Sequence, residues 1–162
     1  MNIRKATQNA LEAIMKIYEI ARRYMLDNGN STQWGENYPP ETLVTRDINN
    51  DNCYVGVTEE YELHLVFSLI AGEDPTYLKI DGDWLSDTPY STIHRVASDG
   101  KVKGTFAECL KFCKTKSSNL RINTHQDNAT MLHLIEKNGF TRCGIIYVRD
   151  GSPRVAFQYL GY

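Results

Sequence analysis

The residues best equipped for chemistry lie between Ser91 and Phe140, and they begin with a short basic glycine loop, Asp99-Gly100-Lys101-Val102-Lys103-Gly104-Thr105. An apolar run, Tyr90 to Ala97, leads into it, and an apolar-periodic stretch from Thr105 to Cys113 leads out. A strand that ends in such a loop and opens a helix presents free backbone N–H groups and a positive dipole end to an anion. Gly104 has no Cβ to obstruct that approach, and the dipole contributes roughly 0.3 to 1 kcal/mol at an exposed end. Lys101 and Lys103 add diffuse positive charge. The loop therefore suits a phosphate or diphosphate, although taken alone it equally suits an ordinary strand-to-helix turn with solvated lysines.

Groups that could move protons flank the same segment. Glu73 stands where the third predicted strand gives way to a long loop, and His94 and His125 stand near the strands on either side of the glycine loop. Each is a candidate general base, and a lone strand histidine is also the usual occupant of a packed, hydrogen-bonded position. Tyr147, on the penultimate predicted strand, is the candidate acid, with a buried core tyrosine as the alternative account. The loop from Gly72 to Pro89 carries Glu73, Asp74, Asp81, Asp83 and Asp87 against Lys79 alone. Such an acidic rim would attract a cationic amine such as a polyamine, an aminoglycoside or a lysine side chain, or else is a solvated surface. Trp34, Tyr38, Tyr77 and Trp84 could wall the acceptor or pin the two long loops down.

The elements that must position these groups fit in one domain spanning residues 1–162, long enough to bury about 70% of its unfolded surface. A hydrophobic fraction of 41% and a charged fraction of 23% are ordinary for a globular chain, and no apolar run approaches membrane-spanning length. The N-terminal Met1-Asn2-Ile3-Arg4-Lys5 is followed by an amphipathic pattern and not by a signal-peptide block, so a soluble, cytoplasmic protein is expected. Cys53, Cys109, Cys113 and Cys143 read as small buried hydrophobes in a reducing compartment; only Cys109 and Cys113 share a helix face, and no metal site is expected. A net charge of −2 with dispersed Lys and Arg argues against nucleic acid as a partner.

Pattern and punctuation give the order. Ile3 to Ala6 is a short strand, and Thr7 caps a helix with Leu11, Ile14, Tyr18, Ala21 and Met25 at helical spacing. Pro40-Glu41 starts a second helix. Cys53 to Thr58 and Leu63 to Ile70 form a hairpin, followed by the long polar passage to Pro89, too long for an ordinary connection. Tyr90 to Ala97, the helix from Thr105 and the strand Leu120 to Thr124 make a parallel crossover; Asp127-Asn128 opens the last helix, and Thr141 to Val148 and Arg154 to Leu160 close the chain as a hairpin. The fold class is α+β, a mixed and mostly antiparallel sheet of about seven strands with helices on both faces and one parallel pair.

Two motifs carry a family resemblance. Lys101-Val102-Lys103-Gly104-Thr105-Phe106 is similar to Arg/Gln-x-x-Gly-x-Gly/Ala, and Asn128-Ala129-Thr130-Met131-Leu132-His133-Leu134-Ile135-Glu136-Lys137-Asn138-Gly139-Phe140 is similar to Asn-x-x-Ala-x-x-Leu-Tyr-Glu-Lys-x-Gly-Phe. In that order of elements the chain resembles the GCN5-related N-acetyltransferases. The resemblance implies that acetyl-CoA lies between two splayed parallel strands, with its pantetheine along Val96, Ala97 and Ser98 and its pyrophosphate on Lys101, Val102, Lys103, Gly104, Thr105 and Phe106. It also implies that Asn128, besides capping its helix, touches the pantetheine arm, and that an N–H near Val96 or Ala97 faces the thioester oxygen. The chain departs from the motif at Lys101, Val102 and Phe106, and at Ile135, where the family often has a tyrosine that protonates the leaving thiol. Phe106 would crowd the diphosphate if its side chain pointed at the loop and leaves the loop open if it points into the core with Leu110; Phe106→Gly is expected to leave cofactor binding intact or improved.

The implied activity is acetyl transfer from acetyl-CoA to a primary amine of a small molecule or peptide, by a monomer or homodimer without a metal. A non-catalytic acyl-CoA-binding or regulatory module is the alternative that the missing tyrosine invites. A dinucleotide-binding domain would need more parallel strand-helix units than this sequence offers.

Overall fold

A computed structural model describes residues 1–161. Eight strands form one sheet: β1 (Asn2–Lys5), β2 (Cys53–Val57), β3 (Leu63–Ala71), β4 (Asp81–Gly82), β5 (Ser91–Ser98), β6 (Asn119–Thr124), β7 (Thr141–Tyr147) and β8 (Pro153–Leu160). Their order across the sheet is β1-β2-β3-β5-β6-β8-β7-β4. Every neighbouring pair is antiparallel except β5 and β6. That exception is the crossover expected from the sequence, because a strand can return parallel only through an element long enough to span the sheet. The count exceeds seven by β4, two residues that pair with β7. Glycines at Gly82 and Gly144 make that approach possible, since a Cβ on either would strike the facing backbone.

Four helices cover the sheet: α1 (Leu11–Asp27), α2 (Glu41–Asn49), α3 (Thr105–Lys116) and α4 (Ala129–Lys137). On one face Phe106, Cys109, Leu110 and Cys113 of α3 and Ile135 of α4 pack on Leu65, Phe67, Ile93, Leu120, Ile122 and Phe157. On the other, Ile14, Ile17 and Tyr18 of α1 and Val44 and Ile48 of α2 pack on Val55, Val57, Val66 and Ala97. Thr7 makes no side-chain cap, because a 3-10 turn over Gln8–Ala10 comes between it and α1. Among the described residues no helix is long and apolar enough to cross a membrane.

The passage from Gly72 to Pro89 is not the free polar loop that its composition suggests. It folds back over the part of the sheet that α1 and α2 leave uncovered, burying Tyr77 with Ile146 and Ala156 and packing Trp84 and Tyr90 beside them. Three polar side chains of the sheet hold it: Gln158 Oε1 accepts from Leu85 N–H at 2.7 Å, Asn119 Nδ2 donates to the Thr88 carbonyl at 3.1 Å, and Arg121 donates to the Ser86 carbonyl at 2.9 Å. The helices and this passage meet over β5 and β6.

Candidate active site

β5 and β6 pair at two positions only, Ser91 with Leu120 and Thr92 with Arg121, although β5 has eight residues and β6 six. Beyond that step the strands part. On its other side β5 carries a bulge: Val66 of β3 faces Ala97 and Ser68 faces His94, so an extra residue of β5 lies between the two pairs. Arg95 takes it up in the left-handed region, at φ 52°. Tyr18 of α1 donates to the Arg95 carbonyl at 2.9 Å. The Arg95 side chain turns to α2, its Nε and Nη2 each 2.9 Å from an oxygen of Asp47, while Nη1 donates to Tyr38 Oη at 3.3 Å and Ser68 Oγ donates to Asp47 at 2.8 Å. A conformation costing of order 1 to 3 kcal/mol for a residue other than glycine is thus held from both ends.

The loop at the end of β5 is fixed at its start and clear at its finish. Asp99 accepts from Lys101 N–H at 3.0 Å through one oxygen and holds His64 Nδ1 at 2.8 Å through the other. Gly104, at φ 76°, is the N-cap of α3, supplies no side-chain cap, and has nothing within 4 Å of where a Cβ would stand. The first-turn N–H groups of α3 accordingly remain available to an anion. Lys101 and Lys103 are exposed, and Phe106 turns its ring into the core.

At the parting of β5 and β6, two polar pairs face each other on the α1/α2 side. His94 lies two residues beyond Thr92 on β5, and Asn123 lies two beyond Arg121 on β6. His94 Nε2 is 2.9 Å from Asp74 Oδ2, and Asp74 Oδ1 accepts from Thr76 N–H at 2.9 Å. Asn123 Nδ2 donates to Tyr77 Oη at 2.8 Å. Burial works to raise the Asp74 carboxyl, but the hydrogen bonds from His94 and from the Thr76 N–H outweigh it and hold the group below its ordinary value. Asp74 is therefore the acceptor in this contact and His94 Nε2 the donor, which in the neutral ring leaves the lone pair on Nδ1. A base oriented by a partly buried carboxylate is an arrangement suited to proton abstraction.

The α1–α2 connection closes the end of this region. Gln33 Oε1 accepts from Asn30 Nδ2 at 2.8 Å and from Asn128 Nδ2 at 3.1 Å, and the Gln33 carbonyl accepts from Arg154 at 3.2 Å. His125 Nδ1 accepts from Asp127 N–H at 3.0 Å, so Nε2 donates to Thr32 Oγ1 at 3.1 Å. Trp34 packs between Tyr18 and Tyr38.

The structure gathers some of the sequence candidates and disperses others. His94 sits at the parting strands, Val96, Ala97 and Ser98 continue β5 along the gap, and Lys101 to Phe106 make the loop and the start of α3. Asn128 spends both ends of its side chain on the protein, Oδ1 accepting from Met131 N–H at 3.2 Å and Nδ2 holding Gln33. Ile135 is fully buried in the core. Glu73 is exposed, and its neighbour Asp74 meets His94 instead. Tyr147 is not the buried core tyrosine considered as its alternative role: it lies 46% exposed on β7 and donates to Asp81 at 2.7 Å. Asp74, Asn123, Gln33 and Arg154 carried no signal individually; a carboxylate two residues into a long connection could have been paired with His94 only through the fold.

No family model matches the sequence, and no curated protein matches it. Solved structures do. An acetyltransferase of the GNAT family from Streptococcus agalactiae 2603 is 30% identical, with a TM-score of 0.90 over 99% of this chain and 95% of that one. A GNAT-family acetyltransferase from Listeria monocytogenes 4b F2365 is 17% identical, with a TM-score of 0.71 over 99% and 94%. A GNAT-superfamily phosphinothricin acetyltransferase from Sinorhizobium meliloti, solved in complex with AcCoA, is 15% identical, with a TM-score of 0.63 over 99% and 88%. The last two likenesses concern the fold alone.

Proposed function

This chain belongs to the GNAT family of acetyltransferases, and on that premise we propose that it moves acetyl from acetyl-CoA directly to a primary amine of a small molecule or peptide within a ternary complex. The observation that carries this reading is the parting of β5 and β6 after two paired residues, beside a loop whose Gly104 is unobstructed at the head of α3. The residues fit the cofactor: a diphosphate suits the free N–H groups from Gly104 to Phe106 with Lys101 and Lys103 alongside, and an extended pantetheine suits the edge formed by Val96, Ala97 and Ser98. Asn128 contributes by fixing the start of α4 against Gln33. Acetyl-CoA, when bound, supplies the acyl group as an activated thioester.

The remaining work falls to this chain's own groups. His94 Nδ1 takes a proton from the acceptor ammonium, and Asp74, already held to Nε2, stabilises the imidazolium that results. The bulge at Arg95 turns a backbone N–H near Val96 or Ala97 out of the β3 ladder, where it can stabilise negative charge developing on the acyl oxygen. The new C–N bond forms as the C–S bond breaks, and the second proton, shed by the attacking nitrogen, passes to the sulfur, which leaves as the free thiol of CoA. Incubation with acetyl-CoA and a broad panel of amines, following free thiol, tests the proposal. Amine-dependent release is expected; CoA binding with no release on any amine would contradict it.

A further inference from the structure

Three arginines are buried on the α1/α2 face of the sheet, and they are not equally compensated. Arg95 has a full partner in Asp47, gripped by Nε and Nη2. Arg121 lies between Trp84 and Tyr90, its guanidinium carbon 3.9 and 3.8 Å from the two ring centroids, and donates to Ser86. Arg154 is only 7% exposed, yet among the described residues no carboxylate lies within 4.0 Å of it. Its partners are neutral oxygens: Nη1 donates to Ser152 Oγ at 3.1 Å and to the Pro153 carbonyl at 2.8 Å, and Nη2 to the Gln33 carbonyl at 3.2 Å. Its Nε makes no hydrogen bond among the described residues and is not sealed from solvent, whereas the fully buried guanidinium nitrogen without a partner is Arg121 Nε. Asp150 reaches it only through Ser152, whose hydroxyl accepts from Arg154 and donates to Asp150. A buried guanidinium without an anion is costly to keep. Nε and the second hydrogen of Nη2, the first being given to Gln33, form the kind of edge with which Arg95 holds Asp47, two parallel donors matched to one carboxylate.

Its place in the sheet puts Arg154 on the same face as the proposed chemistry. On β8, Ala156 faces Asn123 and Arg154 lies two residues away, facing Ile146 of β7. Arg154, Asn123 and His94 therefore share one face, along with Tyr77. From β5 to β8 is at least two strand spacings, since β5 and β6 have parted here, and the offset along the strands is about two residues, so the His94 and Arg154 backbones stand at least about 12 Å apart with both side chains on one side. The acidic residues nearby are committed or remote: Asp74 to His94, Asp47 to Arg95, Asp81 to Tyr147.

We propose that the acceptor is a small amino carboxylic acid, such as an α-amino acid, whose carboxylate pairs with the Nε–Nη2 edge of Arg154 while its amine meets His94. This acceptor class presupposes the acetyl transfer proposed above and narrows it away from the polyamines and aminoglycosides that the acidic loop suggested.

The test uses the wild-type protein with acetyl-CoA and three sets of amines at millimolar supply: the common L-amino acids, the corresponding C-terminal amides, and polyamines with aminoglycosides. At least one amino acid should release thiol with a kcat/KM roughly 10- to 150-fold above that of its own amide, the value of a charge-assisted hydrogen bond. Arg154→Gln should bring that pair to within about threefold of each other, the amide changing little. Amides or polyamines used as well as the acids would overturn the acceptor class while leaving acetyl transfer standing. An acid-to-amide ratio unchanged in the variant would overturn the role of Arg154. Transfer to none of the three sets by protein that binds CoA would overturn the acceptor class, and failure to bind CoA would overturn the acetyltransferase reading beneath it.

Discussion

Replacing Asp74 with Asn probes the proton path at small structural cost. Asp74 Oδ1 accepts from Thr76 N–H and Oδ2 meets His94 Nε2, each at 2.9 Å. An asparagine keeps the first contact and turns an NH2 donor toward Nε2, so the ring must carry its proton on Nδ1, the atom assigned to the acceptor. Losing a positioned base costs about 10²- to 10⁴-fold in rate, and kcat should fall by that order while CoA affinity stays within about threefold. Exchanging a charge-assisted bond for a neutral one should cost about 1.5 kcal/mol, a Tm lower by about 3 to 6 °C for a chain of this size. The folded Asp74 carboxyl titrates below its ordinary value of 3.8. The unfolded chain thus binds more protons between those two values, so the stability Asp74 confers is complete above pH 3.8 and fades as pH falls through the folded value. Steady-state thiol release and urea melts at several pH values measure both effects. Turnover within about threefold of wild type, with an unchanged pH profile, would refute His94 as the base.

Asp47→Ala strands the buried Arg95 guanidinium, and urea or thermal melts should show a loss of about 3 to 5 kcal/mol. Gly104→Val places a branched side chain at φ 76°, where L residues are strained, and into the space before α3. Calorimetry should report CoA affinity at least 10-fold weaker, with a stability loss of about 1 to 2 kcal/mol. Phe106→Gly, attractive from the sequence as a way to relieve the loop, removes a core ring instead; melts should show it costing about 3 to 5 kcal/mol, and protein that remains folded should still bind CoA.

Local pattern carried most of the architecture. The Tyr90-to-Thr124 crossover, the closing hairpin and the Asn128 helix were legible because alternation, helical spacing and glycine or asparagine punctuation all act within a few residues. The passage from Gly72 to Pro89 was not, because what folds it down is Gln158, Asn119 and Arg121, more than 30 residues away in sequence. The same distance hid half of the site. His94 was visible as a titratable group on a strand, but its partner Asp74 was not, because only the turn at Pro75 decides which of two adjacent carboxylates faces the sheet. Tyr147 misled because an aromatic residue on a hairpin strand reads as core, while here the strand lies near the sheet's edge beside the two-residue β4. Buried charge left without an opposite, as at Arg154, has no signature in a sequence at all.

The most direct measurement is a crystal structure of the protein with CoA bound. The diphosphate should lie against the main-chain N–H groups from Gly104 to Phe106 and the sulfur in the gap where β5 and β6 part, within reach of Val96 and Ala97. CoA seated elsewhere, for example in the groove of about 300 Å³ between α1 and His64 that Lys16 and Lys101 also line, would contradict this placement. So would crystals grown at millimolar CoA in which the gap between β5 and β6 holds none.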